Sequence, residues 1–352
     1  METLIDQFGE AKLMLAAGLI TGLVFGMAAY RSRFCLRAAT IEVSEGGFGP
    51  RLAIWLIAFF SALLCVQTAI WAGALDVSNA RQLAATGSLS GAILGGLLFG
   101  VGMVLARGCA SRLLVLSASG NLRAIVTGLV LTLAAQASLR GVLAPPREQI
   151  ASLWTIEGGA ARSLLPADAT SSVWLLVVAA VLFCGALALG ARRNLPRIEM
   201  LSATLVGIAV YLGWQLTHSI ANASFEIVAI QSVTFTGPST DTLMAFVNAR
   251  ALPFNFGLGL VTGVFAGAMI TAYALGEARI QRFEPDVPME RYLVGGVLMG
   301  FGSMLAGGCA VGAGLTGGSI LALTAWVAVF CMWVGAMATH FALHLRTAAK
   351  PA

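Results

Sequence analysis

Charged side chains are scarce in this chain, since Asp, Glu, Lys and Arg together make up only 11% of its 352 residues. A soluble globular domain carries about 25% charged residues, so the composition excludes that class. Apolar residues account for 58% of the chain, and its mean hydropathy is +0.88. Few charges and high hydropathy together predict a membrane protein.

Histidine and closely spaced cysteines are scarce as well. The chain holds three histidines and six cysteines, and no two cysteines form a C-x-x-C pair. Zinc sites need His and Cys ligands at short, regular spacings, so we expect neither a metal nor another cofactor. His340 and His344 stand four residues apart near the end of the chain, where a capping or snorkelling role is expected rather than ligation.

Apolar runs recur along almost the whole chain. A helix needs about 20 mostly apolar residues to cross the hydrocarbon core. The pattern therefore predicts an all-α, polytopic membrane protein, with residues 1–352 forming a single transmembrane domain of about nine helices. The predicted spans are 13–30, 52–74, 91–107, 122–141, 172–190, 200–217, 256–275, 292–307 and 319–345.

Arginines cluster in alternate links between these spans. They are most frequent after the first, third, fifth and seventh spans and fewer in the other links. Basic residues are enriched in cytoplasmic loops, which predicts an external N-terminus and a cytoplasmic C-terminus. The net charge of +5 follows from the same bias, so we expect a lipid membrane around the chain and no nucleic-acid partner.

Two stretches of sixteen residues repeat one another and end in the same Gly-Cys-Ala. Residues 95–110 and 295–310 are identical at ten of sixteen positions, including Cys109, Cys309 and the glycine before each. Cys35 follows a looser version, with a glycine nine residues upstream as in the other two. We call these three residues the motif cysteines. Their recurrence indicates a soft-sulfur site, one formed by thiols, that was built by internal duplication.

A second pair of related segments extends the repeat. Residues 18–26 resemble residues 259–267, and continuing the register places Gly276 opposite Cys35. Glycines at four-residue spacing let helices pack closely, which explains most of the 41 glycines but not the recurring thiol. The pattern predicts internal duplication, with related segments at 18–35, 95–115, 259–276 and 295–315.

Glycines also surround Cys309, and each disfavours a helix by roughly 1 kcal/mol relative to alanine. We therefore expect broken or re-entrant segments here rather than a continuous helix. Irregular backbone at membrane depth must be covered by protein or line a cavity. In the predicted topology the segment before Cys109 runs inward and the one before Cys309 runs outward. The two thiols would then approach the membrane centre from opposite faces.

The other three cysteines and the polar stretch 214–242 are interpreted first as structural features. Cys65, Cys184 and Cys331 lie in plain apolar runs, where a thiol is expected to pack as a small hydrophobe. The polar stretch 214–242 is interpreted first as an outer loop or surface helix. The alternative is a vestibule whose hydroxyl groups receive an anion.

The cysteine motifs resemble those of the YeeE/YedE sulfur-transport family. They read Phe34-Cys35-Leu36-Arg37, then Leu105 to Cys109 followed by Gly120-Asn121-Leu122, and Gly307-Gly308-Cys309 followed by Gly312. The resemblance covers nearly the whole chain. It implies a many-helix inner-membrane protein, waisted in the middle, that takes up thiosulfate along one cysteine from each motif: Cys35, Cys109 and Cys309. Family members often work with a cytoplasmic TusA-like sulfur carrier, expected here as a separate chain.

The chemistry of thiosulfate fits this expectation. The ion is a dianion with one soft terminal sulfur and three hard oxygens, and a neutral thiol can contact that sulfur without adding charge. We expect protonated motif cysteines that form weak, successive sites, because the ion must leave as well as enter. Backbone amides could donate hydrogen bonds to the oxygens, and arginines could attract the anion. The expected donors are Gly108, Gly307, Gly308 and Gly312, with Arg37 and Arg107 as attracting charges.

Two alternatives stay open beside import of thiosulfate. A membrane thiol oxidoreductase or sulfurtransferase would use one motif cysteine as a nucleophile and pass on a persulfide. A transporter could also carry a related sulfur or selenium compound. The low-pKa thiol and resolving partner typical of such enzymes are not evident in the sequence, so we expect no enzymatic activity and no catalytic residue.

Overall fold

A computed structural model describes residues 2–164, 169–283 and 288–348. It confirms an all-α, polytopic membrane protein. The only sheet in these ranges is an antiparallel pair of two-residue strands, β1 (Gly87–Ser88) and β2 (Thr155–Ile156). The helices are α1 Glu2–Phe8, α2 Glu10–Arg31, α3 Leu36–Ser44, α4 Pro50–Trp71, α5 Arg81–Ala84, α6 Leu89–Leu105, α7 Ala110–Ala118, α8 Leu122–Arg140, α9 Ala144–Ser152, α10 Ala169–Arg192, α11 Arg197–Ala223, α12 Thr236–Asn248, α13 Phe256–Ala274, α14 Met289–Ala306 and α15 Leu323–Ala348. A 3₁₀ turn covers Gly159–Arg162, and a π-helical turn covers Gly312–Gly317.

Eight helices within the described ranges are long and apolar enough to cross a membrane. The eighth predicted span, 292–307, corresponds to α14, which is not among them because Glu290 and Arg291 in its first turn lower its mean hydropathy. It nevertheless lies antiparallel against α6: Gly95 faces Ala306 near one end and Gly102 faces Gly295 near the other. Helix α14 therefore covers the same depth as α6.

Helices α2 and α13 pack against each other through glycines. A Cβ atom at Gly18 would lie 2.1 Å from the Phe256 carbonyl oxygen, and one at Gly26 would lie 2.3 Å from that of Val264. On α13, the absence of a side chain at Gly259 likewise lets the backbone of α2 approach closely. Residues later in α2 contact residues later in α13, so the two helices run parallel. The related segments at 18–26 and 259–267 thus face one another, while their origin by duplication stays a prediction.

The predicted breaks occur immediately before the motif cysteines. Helices α2, α6 and α14 end at Arg31, Leu105 and Ala306, and a residue with left-handed backbone lies two positions before each cysteine. These residues are Arg33, Arg107 and Gly307, with φ values of 53°, 55° and 77°. Such a conformation cannot continue a right-handed helix, which explains the break.

A short helix follows each break and packs against the span after it. Helix α3 follows Cys35 and packs on α4, α7 follows Cys109 and packs on α8, and the segment 310–319 follows Cys309 and packs on α15. Helix α12 repeats this arrangement, with Phe235 at its N-cap and α13 as its partner. Phe235 thus stands where the other three short helices have a cysteine.

Candidate functional site

A cavity of about 810 Å³ opens beside the first motif cysteine, and we call it the arginine cavity. Glu277 is the only acidic residue among the described residues that line it; it accepts a hydrogen bond from the Tyr30 hydroxyl at 3.0 Å and lies 3.8 Å from Arg33. A cavity wall of one charge sign concentrates ions of the opposite sign. Cys35 and seven arginines line the cavity: Arg33, Arg37, Arg51, Arg107, Arg112, Arg123 and Arg279.

The Cys35 and Cys109 side chains are neighbours, and Cys35 lines this cavity. Cys109 Sγ lies 3.3 Å from the hydroxyl oxygen of Ser111. The charges of Arg37 and Arg112 act on Cys35. Both thiols are the N-cap residues of short helices, so the positive ends of α3 and α7 point toward them.

A second cavity of about 590 Å³ contains threonine, glutamine and asparagine side chains, and we call it the polar cavity. Three arginines and one acid, Asp241, contribute its charged groups. Burial raises the pKa of Asp241 above its ordinary value, while the charge of Arg140 opposes this shift. The principal lining residues are Arg81, Arg140, Arg147, Gln231, Thr234, Thr236, Asp241, Asn255, Gly307 and Gly308.

The two cavities lie at opposite ends of one membrane-spanning helix. Arg123, in the first turn of α8, lines the arginine cavity, and Arg140, its last residue, lines the polar cavity. Nineteen helical residues extend over about 28 Å, close to the thickness of the hydrocarbon core. The cavities therefore approach from opposite membrane faces.

The polar stretch 214–242 contributes to the polar cavity, and its interpretation as an outer loop is wrong for 230–236. Phe225 and Ile227 are exposed, but Ser232 and Val233 are buried. An extended segment tolerates burial only if its backbone is hydrogen-bonded. Hydroxyl groups from other elements supply such bonds: Thr217 donates to the Gln231 carbonyl at 2.7 Å, and Thr316 donates to that of Val233.

Cys309 is buried directly behind the polar cavity. Gly307 and Gly308, just before it, line that cavity, and the Gly312 amide donates to Cys309 Sγ at 3.4 Å. Gly312 also packs tightly against Thr234, another lining residue, because a Cβ atom at Gly312 would lie 2.4 Å from the threonine Oγ1. The third motif cysteine is thus next to one cavity and the first is inside the other.

The expectation that glycine amides are open to an anion is wrong for this conformation. The Gly108 amide donates to the Met103 carbonyl at 3.1 Å, and the Gly307 and Gly308 amides donate to the Ser303 carbonyl. The Gly312 amide is directed to the cysteine sulfur. These bonds close the ends of helices α6 and α14, and arginine and hydroxyl groups line the cavities instead.

An aromatic layer lies between the cavities, and the sequence analysis did not identify it. The Phe25 ring lies 6.5 Å from Phe34 and 5.1 Å from Phe235 between ring centroids, and all three side chains are buried. Phe34 precedes Cys35, while Phe235 stands between two threonines of the polar cavity. The adjacency of Phe34 to a motif cysteine was the only sequence signal for this layer.

Some of the arginines that line the cavities were predicted from the sequence, and others were not. Arg37 and Arg107 line the arginine cavity, as their proposed role requires. Arg123 has a packing role as well: it donates to the Ala106 carbonyl at 2.7 Å and lies 5.2 Å from the Tyr292 ring centroid. The arginines of the polar cavity were missed, because they are spread along the chain without a motif.

The other three cysteines lie away from both cavity linings. Cys184 is exposed on α10, and Cys65 is partly buried on α4. Cys331 packs against α6, where a Cβ atom at Gly96 would lie 2.8 Å from the cysteine Cβ. These positions agree with the expected packing role.

A bundle of membrane-crossing helices with charged cavities at opposite faces and a closed layer between them has the architecture of a membrane transporter. The chain belongs to the sulphur transport family, which it matches over residues 31–338. It is 26% identical to the thiosulfate transporter TsuA of Escherichia coli K12, over 96% of this chain and 97% of that protein. It is 27% identical to the thiosulfate transporter TsuA of Spirochaeta thermophila, over 90% of this chain and 94% of that protein.

Proposed function

We propose that the protein imports thiosulfate across the inner membrane, with its N-terminus outside and its C-terminus in the cytoplasm. The observation that supports the proposal is that Cys35 lines one basic cavity and Cys309 lies next to the other, with the two cavities at opposite ends of α8. Two relatives named thiosulfate transporters align with the chain over nearly its full length. In this orientation the polar cavity faces outside and the arginine cavity faces the cytoplasm.

Electrostatics brings the dianion into each cavity. Among its described lining residues, the polar cavity has three arginines and one acid, Asp241. The arginine cavity has seven arginines and one acid among those that the structure describes. The larger positive charge on the cytoplasmic side favours inward movement of the anion. It also provides a surface where a separate TusA-like carrier could receive sulfur.

The thiols provide the soft contacts between these cavities. Thiosulfate would enter past Thr234, meet Cys309, and leave beside Cys109 and Cys35. Protonated thiols bind the terminal sulfur without adding negative charge. Each contact is weak, which allows the ion to move on. The layer formed by Phe25, Phe34 and Phe235 must open for passage, so the structure corresponds to a closed state in this scheme.

Uptake of labelled thiosulfate into liposomes that contain the purified protein tests the proposal. We expect uptake above that of protein-free liposomes, with strong competition by unlabelled thiosulfate and weak competition by sulfate, which lacks the soft sulfur. Selenium oxyanions as competitors would define the range of cargo. Absence of uptake by folded protein, or equal competition by sulfate, would contradict the proposal.

The contact between Cys35 and Cys109 favours one alternative, a sulfurtransferase. In that reaction a thiolate attacks the terminal sulfur of thiosulfate, the sulfur–sulfur bond breaks, and sulfite leaves with the electron pair. The enzyme retains a persulfide, and no external oxidant is needed. Mass spectrometry during turnover distinguishes the two functions: transport predicts unmodified thiols, whereas a persulfide on either cysteine with release of sulfite supports the enzyme.

A pair of glycine substitutions tests the passage beside Cys309. In Gly312→Ala the new methyl group must displace Thr234, whereas in Gly314→Ala the atom nearest to the new methyl carbon, Val329 Cγ2, lies at an ordinary 3.6 Å. Overpacking costs about 1–3 kcal/mol, so uptake by Gly312→Ala should fall about 10-fold or more. Gly314→Ala is the control and should keep most of the activity. Equal uptake by both variants, with equal amounts of folded protein, would argue against a passage at Thr234.

A further inference from the structure

A cluster of possible metal ligands lies outside the transport path. Glu45, His340 and His344 place one ligand atom each within 4.8 Å of one another. His340 Nε2 lies 3.3 Å from Glu45 Oε1, and the two imidazole rings are in an edge-to-face contact with centroids 4.8 Å apart. None of the three residues lines either of the two cavities.

We propose that Glu45, His340 and His344 form a binding site for Zn²⁺ or a similar divalent transition-metal ion. Two imidazole nitrogens and one carboxylate oxygen are a ligand set used by protein zinc sites, with water at the remaining position. The two histidines stand four residues apart on one face of α15, which is the spacing that lets two imidazoles bind one ion. The carboxylate comes from another part of the chain, at the C-cap of α3.

The present spacing requires only a small adjustment to hold the ion. With Zn–N distances of about 2.0–2.1 Å, ligand atoms in a tetrahedral site are about 3.3 Å apart. Glu45 and His340 already have this separation, and the whole set lies within 4.8 Å. The Glu45 side chain is 58% exposed and the His340 side chain 13% exposed, so the carboxylate can reorient while the imidazole stays in place.

A bound ion would connect α3, which begins just after Cys35, with α15. Glu45 lies at the far end of α3 from Cys35, and α3 packs against α15. Metal binding would therefore fix the helix that positions the first motif cysteine. The sequence expectation of no metal arose because Glu45 is distant from the histidines in the chain, so no spacing motif revealed the cluster.

Titration of metal-stripped, full-length protein with Zn²⁺ in an isothermal calorimeter tests the site. Wild-type protein should show a saturable binding event that is absent or greatly weakened in His340→Ala, His344→Ala and Glu45→Gln. Loss of a direct ligand should exceed the roughly 10- to 100-fold cost of losing a residue that supports a metal ligand. His218→Gln, which removes the third histidine of the chain, should bind Zn²⁺ like the wild type.

Thermal unfolding separates loss of the site from loss of the fold. The ligand variants should unfold at the wild-type temperature without metal, and added Zn²⁺ should raise that temperature for the wild type only, because a ligand stabilises the state it binds. Binding should also weaken at lower pH, since the imidazoles must be deprotonated. Zn²⁺ affinity that is absent in the wild type, or that is as strong in all three ligand variants as in the wild type, would overturn the proposal without affecting the proposed transport.

Discussion

Replacement of Cys109 by alanine should abolish thiosulfate uptake. Cys109 is buried, lies beside Cys35, and is the N-cap residue of helix α7. Alanine offers the terminal sulfur no soft partner at this point. The rate of labelled thiosulfate uptake should fall by at least about 30-fold, equivalent to roughly 2 kcal/mol. Serine should restore little, because its hydroxyl oxygen is a hard group.

Matched variants make this result specific. Cys35→Ala and Cys309→Ala should also reduce uptake, whereas Cys184→Ala, exposed on α10, should not. Retained uptake in all three motif variants would eliminate the thiol path. Loss of uptake in Cys65→Ala or Cys331→Ala alone would show that the functional thiols lie elsewhere.

Replacement of Gly22 by leucine should prevent correct packing of α2 on α13. Even a Cβ atom at this position would lie 2.4 Å from the Leu260 carbonyl oxygen and 2.9 Å from the Val264 amide nitrogen. These are backbone atoms, so the two helices would have to separate. Overpacking by a single group costs about 1–3 kcal/mol, and a leucine adds three further heavy atoms. We expect little folded protein in size-exclusion chromatography and a lower unfolding temperature.

Two glycines on other helices provide the control. A Cβ atom at Gly128 on α8 or at Gly185 on α10 would have no atom within 4 Å. Alanine at either position should be neutral or stabilising, since alanine favours a helix by about 1 kcal/mol over glycine. A Gly22→Leu protein as stable as these controls would contradict the parallel glycine interface.

The sequence predicted the framework because its signals are local. Hydropathy located the spans, and the glycines before Cys309 indicated a broken helix, which the left-handed Gly307 confirms. The alternating arginines implied opposite directions for α6 and α14, as their antiparallel packing requires. The repeated Gly-Cys pointed to Cys109 and Cys309, and both are buried in the structure, while their role in transport stays a prediction.

The features that were missed depend on contacts between distant segments. Burial of 230–236 relies on hydroxyl groups of Thr217 and Thr316, which no local pattern connects with that stretch. Phe235 is the N-cap residue of α12, the position that a cysteine occupies at the other short helices, and only the structure shows that these helices are equivalent. The glycine amides were mistaken for open donors because their use in closing helix ends requires knowledge of where those helices end.

A structure of the protein with bound thiosulfate would show whether the motif cysteines hold the ion. We expect an anion between the arginine and polar cavities, with its terminal sulfur within about 4 Å of the Sγ atom of Cys35, Cys109 or Cys309. Its oxygens should face arginine or hydroxyl groups. An anion bound away from all three thiols, or one whose oxygens alone contact them, would contradict this expectation.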